Sequence, residues 1–258
     1  MRIKTNPGEL KKPQIDPSDV MRFFAERAEK AKKIGSLRAV IYQDKHPDLA
    51  ERRDVAEKAL LMPMLRLQTS DRVLDIGCGT GRWTAVIAPQ VARYHGTDFS
   101  AGLIDIARAE HGGVENVCFS VLPSVAISLE ALGETERFDK IVVFGLLIYL
   151  NDDAVLETLR RVGNVAAQQC YLLIREPVAI DERLTIKEHF SDDLDQSYNA
   201  IYRTEEELLA MTFATLGLLG FVLADKGYVF EQKELCNRAD TVQKWYAFEK
   251  RETLKEDT

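Results

Sequence analysis

Metal-binding and redox spacings are missing from this chain. Its four cysteines, Cys78, Cys118, Cys170 and Cys236, stand far apart and match neither a zinc pattern nor a C-x-x-C pair. They are expected to be free thiols in a reducing cytoplasm, with no metal site. Long hydrophobic runs are missing too. The longest, residues 141–150, is about half of the roughly 20 residues a membrane helix needs. The N-terminus lacks the apolar stretch of a secretory signal. There is no excess of positive charge: 34 Lys+Arg face 41 Asp+Glu, a formal charge of −7, which argues against the basic stripe of a duplex nucleic-acid binder. Neither nucleic acid nor membrane is therefore expected as a partner.

What is present is ordinary for a soluble globular chain: 258 residues, 46% hydrophobic and 29% charged, enough for one large domain with some length to spare. Charge is unevenly spread. Residues 1–62 carry a net +4 and the remainder a net −11. The basic front segment can meet a phosphate or carboxylate, or can simply be a solvated helix face.

Residues 1–18, with three prolines, read as an irregular lead-in. Helical periodicity follows over 19–33 and again from Pro47 or Asp48 to Leu61. From residue 72 onward short apolar runs (72–76, 93–97, 117–121, 140–144, 169–175) alternate with amphipathic segments (81–88, 101–110, 123–132, 153–162). Such alternation implies crossover units and a parallel sheet covered on both faces. The tail differs: a helix over 204–218 opens with a capping box at Thr204 and Glu207, and two strands then follow in succession, 222–230 and 243–250. The expected architecture is an α/β, doubly wound, seven-stranded sheet, mostly parallel with an antiparallel last strand. A helical front segment (1–69) precedes a body (70–258) that carries an insertion at about 177–203.

The sharpest local signal is VLDIGCGTGRW, residues 73–83. It joins a buried strand to a helix start, where free backbone N–H groups favour an anionic or polar ligand. Asp75 sits two residues before Gly77. A second strand ends at Asp98, in the place from which an acid accepts both hydroxyls of a ribose. A nicotinamide-dependent oxidoreductase uses similar parts, but its G-x-G-x-x-G needs a glycine where Arg82 stands.

The stretch DIGCGTGRW, followed by HGTDFS (95–100), closely resembles class I S-adenosylmethionine-dependent methyltransferases. The resemblance extends over about residues 70–258 and includes FDKIVVFGLLIYL (138–150) and the YRTEEEL…GF pattern of the tail. It implies a Rossmann-like sheet and S-adenosylmethionine as cofactor. Gly77, Cys78, Gly79 and Gly81 would wrap the methionine moiety, with Asp75 near its amino group. Asp98 would hold the ribose, and Phe99, Val121 and Leu122 would flank the adenine. Phe144 would line the cofactor site, and Tyr42 would close the methionine end. Many members place an aspartate after the third strand; this chain has SVLP (120–123) there. A module that keeps the cofactor without catalysis is the remaining alternative.

The methyl acceptor, expected to be a small molecule, should lie beyond the carboxyl ends of the fourth and fifth strands. Its acceptor atom, oxygen or nitrogen, stays open, as does a homodimer. His189, Tyr149 and Glu176 are the candidate bases, His189 with a surface or packing role as its rival. Tyr198, Tyr202, Arg203 and Arg175 are the candidate acceptor contacts, with Arg203 alternatively paired to a nearby Glu. Methyl transfer is an in-line displacement, so alignment and desolvation count for more than a base.

Overall fold

The computed structural model describes residues 1–250 apart from 7, 8, 10, 192, 193 and 237. The chain opens with β1 (Arg2–Thr5) and three helices, α1 (Pro17–Ile34), α2 (Ser36–Ile41) and α3 (Pro47–Leu65). Asp16 caps α1 by accepting from Ser18 N at 2.8 Å, Pro17 fills its first turn, and Gly35 stops it at φ 91°. The body then alternates β2 (Arg72–Ile76), α4 (Thr84–Ile87), β3 (Arg93–Asp98), α5 (Ala101–His111), β4 (Val117–Val121), α6 (Leu129–Leu132), β5 (Phe138–Phe144), α7 (Asp152–Val165) and β6 (Ala166–Ala179). After β7 (Arg183–Ser191) and β8 (Gln196–Tyr202) come α8 (Glu205–Leu216), β9 (Phe221–Tyr228) and β10 (Thr241–Lys250).

Seven strands form one sheet in the order β4-β3-β2-β5-β6-β10-β9. Only β10 is reversed, antiparallel to both β6 and β9. This is the doubly wound α/β arrangement expected from the alternation. β5 reads as an unbroken apolar run because both its faces are covered. On one face Ile141 and Val143 meet Val155, Leu159 and Val162 of α7, with Leu208 and Leu216 of α8 in the same cluster. On the other, Val73, Val142 and Leu173 share a cluster with Leu61 and Leu65 of α3 and Ile104 of α5. Each such fully buried side chain contributes about 1.5–3 kcal/mol. The expected capping box at Thr204 and Glu207 is present.

Several local expectations change. The helix foreseen over 123–132 is a 3-10 turn at Ser124–Ala126 and the one-turn α6, which Ser128 caps and Gly133 ends at φ 68°. The helix over 81–88 shrinks to α4 and a 3-10 turn, because Gly81 still has φ 80°. The lead-in contains a strand, and the insertion contains a hairpin: β1, β7 and β8 make a second, antiparallel sheet. This small sheet and α1 share a core of Ile15, Val20, Phe23, Leu184, Ile186 and Ile201, into which Tyr149 of the β5 loop is packed. Among the described residues no helix is long and apolar enough to cross a membrane, and no group of His, Cys, Asp and Glu could hold a metal ion.

Candidate functional site

Strand β2 ends in a loop whose three glycines all take positive φ: Gly77 78°, Gly79 57° and Gly81 80°. Gly77 N and Cys78 N donate to Thr97 O of β3 at 2.7 and 3.0 Å, tying the loop to the neighbouring strand end. A Cβ at Gly77 would stand 3.3 Å from Leu146, and one at Gly79 3.4 Å from Val40 of α2. The loop therefore lies between the β5 loop and the front helices. At the end of β3, Asp98 accepts from Gly79 N at 3.1 Å and Ser100 N at 2.9 Å. Asp75 accepts from the Tyr94 hydroxyl at 2.6 Å. Burial pushes both carboxyls up to about 6.

These groups open on a cavity of about 630 Å³. Its floor holds Asp75, Gly77, Cys78, Gly79 and Asp98, with Phe99 and Leu122 to one side and Phe144 to the other. Phe144 lies 4.8 Å, centre to centre, from Trp83, which also lines the cavity. The front segment supplies the roof. Phe24 of α1 meets Phe99 and Tyr149 edge-on, at ring separations of 5.4 and 4.9 Å. Tyr42 follows α2 in the left-handed region at φ 61°. It is held there by Arg27, whose buried guanidinium donates to Ala39 O and takes both oxygens of Asp44 at 2.7 Å. The far wall carries Tyr198, Tyr202 and Arg175.

Tyr149 lines the cavity, but burial lifts its phenol well above the ordinary tyrosine range, and burial pushes Tyr42 to about 12. At neutral pH the Tyr149 phenol is therefore protonated. The expected role of Glu176 as a base is corrected. It is buried, does not line the cavity, and its Oε1 accepts from Leu146 N and Leu147 N at 2.7 and 2.8 Å. It holds the loop that presents Tyr149, and burial pushes its carboxyl up to about 7. His189 lies outside the lining; it stands opposite Tyr198 in the β7–β8 pairing, with the two rings 6.2 Å apart.

Three more expectations are corrected. Arg203 is 2% exposed and saturated: it donates to Leu147 O and Leu150 O at 2.8 and 2.7 Å and pairs with Asp152 at 2.6 Å. Its work is to pin the β5 loop. Val121 is 44% exposed, since β4 is the sheet edge and its last side chain points to solvent. Gly81 is required by packing: a Cβ there would come within 2.8 Å of the His111 ring. His95 is structural, bonded to Glu134 at 2.7 Å and Ser120 at 2.8 Å.

Sequence reasoning missed Arg53 and Glu57 of α3, Phe24 of α1 and Arg238, all of which line the cavity. Glu57 receives Arg175 Nε at 2.6 Å and Arg82 at 3.1 Å. Against the desolvation that burial imposes, these two guanidinium groups hold Glu57 down to about 2. A signal existed. Ala50, Arg53, Glu57, Leu61 and Leu65 form the buried stripe of α3 at spacings of three and four, so two charges sit where a core helix wants apolar residues.

Comparison with known proteins adds a domain match. Residues 74–172 match the family model described as a methyltransferase domain. Over 93 residues the chain is 33% identical to a probable cobalt-precorrin-6B C(15)-methyltransferase (decarboxylating) of Saccharolobus solfataricus, covering 34% of this chain and 46% of that protein. Over 108 residues it is 27% identical to phosphoethanolamine N-methyltransferase 1 of Caenorhabditis elegans, covering 42% and 22%. The chain thus spans less than half the length of either curated relative. Among solved structures, phosphoethanolamine N-methyltransferase 1 of Haemonchus contortus, in complex with phosphoethanolamine and S-adenosylhomocysteine, superposes with a TM-score of 0.70 at 17% identity. That match covers 94% of this chain and 52% of the other.

Proposed function

With a methyltransferase domain at residues 74–172 and the fold of the class I S-adenosylmethionine-dependent methyltransferases, we propose that this chain methylates a nitrogen or oxygen of a small molecule. The observation that carries the reading is the pairing of Asp75 and Asp98 on the floor of one cavity with the glycine loop between them. Both carboxylates are buried, and each oxygen of Asp98 keeps a lone pair beyond its one backbone N–H. Such acceptors suit an ammonium group and a pair of ribose hydroxyls. When bound, S-adenosylmethionine supplies an electrophilic methyl group on a sulfonium.

The chain's own residues then do three things. Gly77, Cys78 and Gly79 let the backbone approach the methionine end, while Phe99 and Leu122 flank the adenine. Tyr42, Phe24 and Val40 cover the site and exclude water. Tyr149, Tyr198 and Tyr202 form the acceptor wall and donate hydrogen bonds that orient the nucleophile. Alignment of this kind is worth on the order of 7–11 kcal/mol in favourable cases. An amine acceptor is favoured over a hydroxyl, because the groups nearest it, Tyr149, Tyr198 and Tyr202, are neutral phenols; the lining also carries His46 and Glu57, the latter held by Arg82 and Arg175. Free thiols at all four cysteines support a reducing, cytoplasmic setting.

Calorimetry with S-adenosylhomocysteine and with NAD tests the assignment. The first should bind and the second should not; the opposite result ends it. Mass spectrometry of an amine panel incubated with S-adenosylmethionine should show addition of one methyl group. Cofactor binding without turnover of any amine or hydroxyl acceptor would instead support a non-catalytic module.

A further inference from the structure

The part of the cavity wall that α3 supplies holds a buried guanidinium with no direct partner. Arg53 is 4% exposed and lines the cavity, yet among the described residues it makes no hydrogen bond or ion pair, and its Nε is buried without a partner. The Phe230 ring lies 5.2 Å from its guanidinium carbon. A buried guanidinium with nothing to neutralise it is costly, so a folded chain that retains one marks a ligand site more than a structural one.

The nearby acids are already committed. Glu57, one turn along α3, is shared by Arg82 and Arg175, and Asp54 is shared by Arg82 and Lys58. Four cations thus surround two carboxylates, leaving a local surplus of positive charge beside the acceptor wall. Burial, with Arg175 adding repulsion, pulls Arg53 down to about 10. Across the cavity Arg238 lies 5.4 Å over the rings of both Tyr198 and Tyr202 and donates to the Tyr198 hydroxyl, while its Nη1 is buried without a partner. Arg238 thus keeps a partner, and Arg53 is left as a buried guanidinium on this cavity with neither a hydrogen bond nor an ion pair among the described residues.

We propose that Arg53 forms an oxyanion subsite that holds a carboxylate or phosphate group of the methyl acceptor. A guanidinium presents a fork of donors that fits either group in two-point contact. The inference rests on the methyltransferase reading for the word acceptor, but the oxyanion subsite itself can be tested without turnover.

The full chain, saturated with S-adenosylhomocysteine to occupy the glycine loop, is titrated with inorganic phosphate and separately with acetate, against chloride at matched ionic strength. Thermal shift and calorimetry are read. At least one oxyanion should bind saturably and raise Tm beyond chloride, and which one responds identifies the acceptor's anionic group. Arg53→Met should weaken that binding roughly tenfold or more. It should leave the affinity for S-adenosylhomocysteine unchanged, and the ligand-free Tm should stay level or rise, because an unpaired buried charge has been removed. Arg53→Lys should retain part of the binding, and it carries the test if the methionine variant does not fold. If neither oxyanion exceeds chloride, or if Arg53→Met and Arg53→Lys bind them as the parent does, the subsite is wrong. If S-adenosylhomocysteine itself does not bind, the methyltransferase reading fails, while the oxyanion titration still decides the subsite.

Discussion

Glu57 Oε1 and Arg175 Nε, 118 residues apart in sequence, stand 2.6 Å from each other. This contact ties α3 of the front segment to β6 beside the reacting end of the cavity. Arg82, at the start of the first helical turn after the glycine loop, joins the same carboxylate at 3.1 Å. One acid thus couples three segments that the cofactor and acceptor would both touch.

Glu57→Gln should destabilise the protein by about 3–5 kcal/mol at neutral pH, because it leaves buried guanidinium groups uncompensated. Glu57 is held at about 2, below its ordinary 4.5. Its contribution is therefore present above pH 4.5 and is lost as pH falls from there toward 2. Urea unfolding at a series of pH values should show that acid limb in the parent and a flatter one in the variant. Identical limbs would rule out the pairing.

Asp98→Ala should weaken S-adenosylhomocysteine binding by at least roughly tenfold with the circular dichroism spectrum unchanged. In the parent, affinity should also decline as pH drops below 6. The carboxyl sits at about 6, and only its ionised form accepts from two hydroxyls. Below that value the loss should approach about tenfold per pH unit. Affinity that is level from pH 8 to pH 5 would remove Asp98 from the ribose.

His189→Ala should leave turnover unaltered, since its ring lies outside the cavity. Tyr149→Phe should lower kcat roughly tenfold while cofactor affinity is kept. The pH profile should hold its shape, because a phenol that never ionises contributes no limb. A new or missing limb in the profile would restore a base to this position.

Arg203→Ala should cost about 1–3 kcal/mol in stability, as it strands Leu150 O and removes one donor each from Leu147 O and Asp152 Oδ1, which Leu150 N and Arg183 still serve. Arg203→Lys should recover little of it, having no planar fork. Thermal melting separates this from an acceptor-binding role, which would raise KM and leave Tm alone.

The sheet body was legible because strand and helix alternate locally and the glycine turn announces itself within a dozen residues. The reversed β10 followed from two successive strands with no helix between them. The small sheet was not legible. β1 pairs Arg2 with Ile186, and no window of sequence relates such positions. Arg53 and Glu57 escaped for a different reason: a charge on a buried helix stripe looks in sequence like a solvated face, and only burial separates the two. Arg203 misled in the opposite direction, since an arginine beside tyrosines in an insertion reads as a binding group until its carbonyl partners are seen.

The pairing of β1 with β7 also sets an order of assembly. During synthesis from the N-terminus, residues 2–5 have no strand to join until residues 183–186 have been made. The glycine loop and the first parallel strands come from earlier parts of the chain. Closing so long a loop is entropically unfavourable, though the cost grows only slowly with length. The small sheet behind the cavity's roof is therefore completed only after the cofactor floor has been made, and a nascent chain can present that floor before it has any place to hold an acceptor.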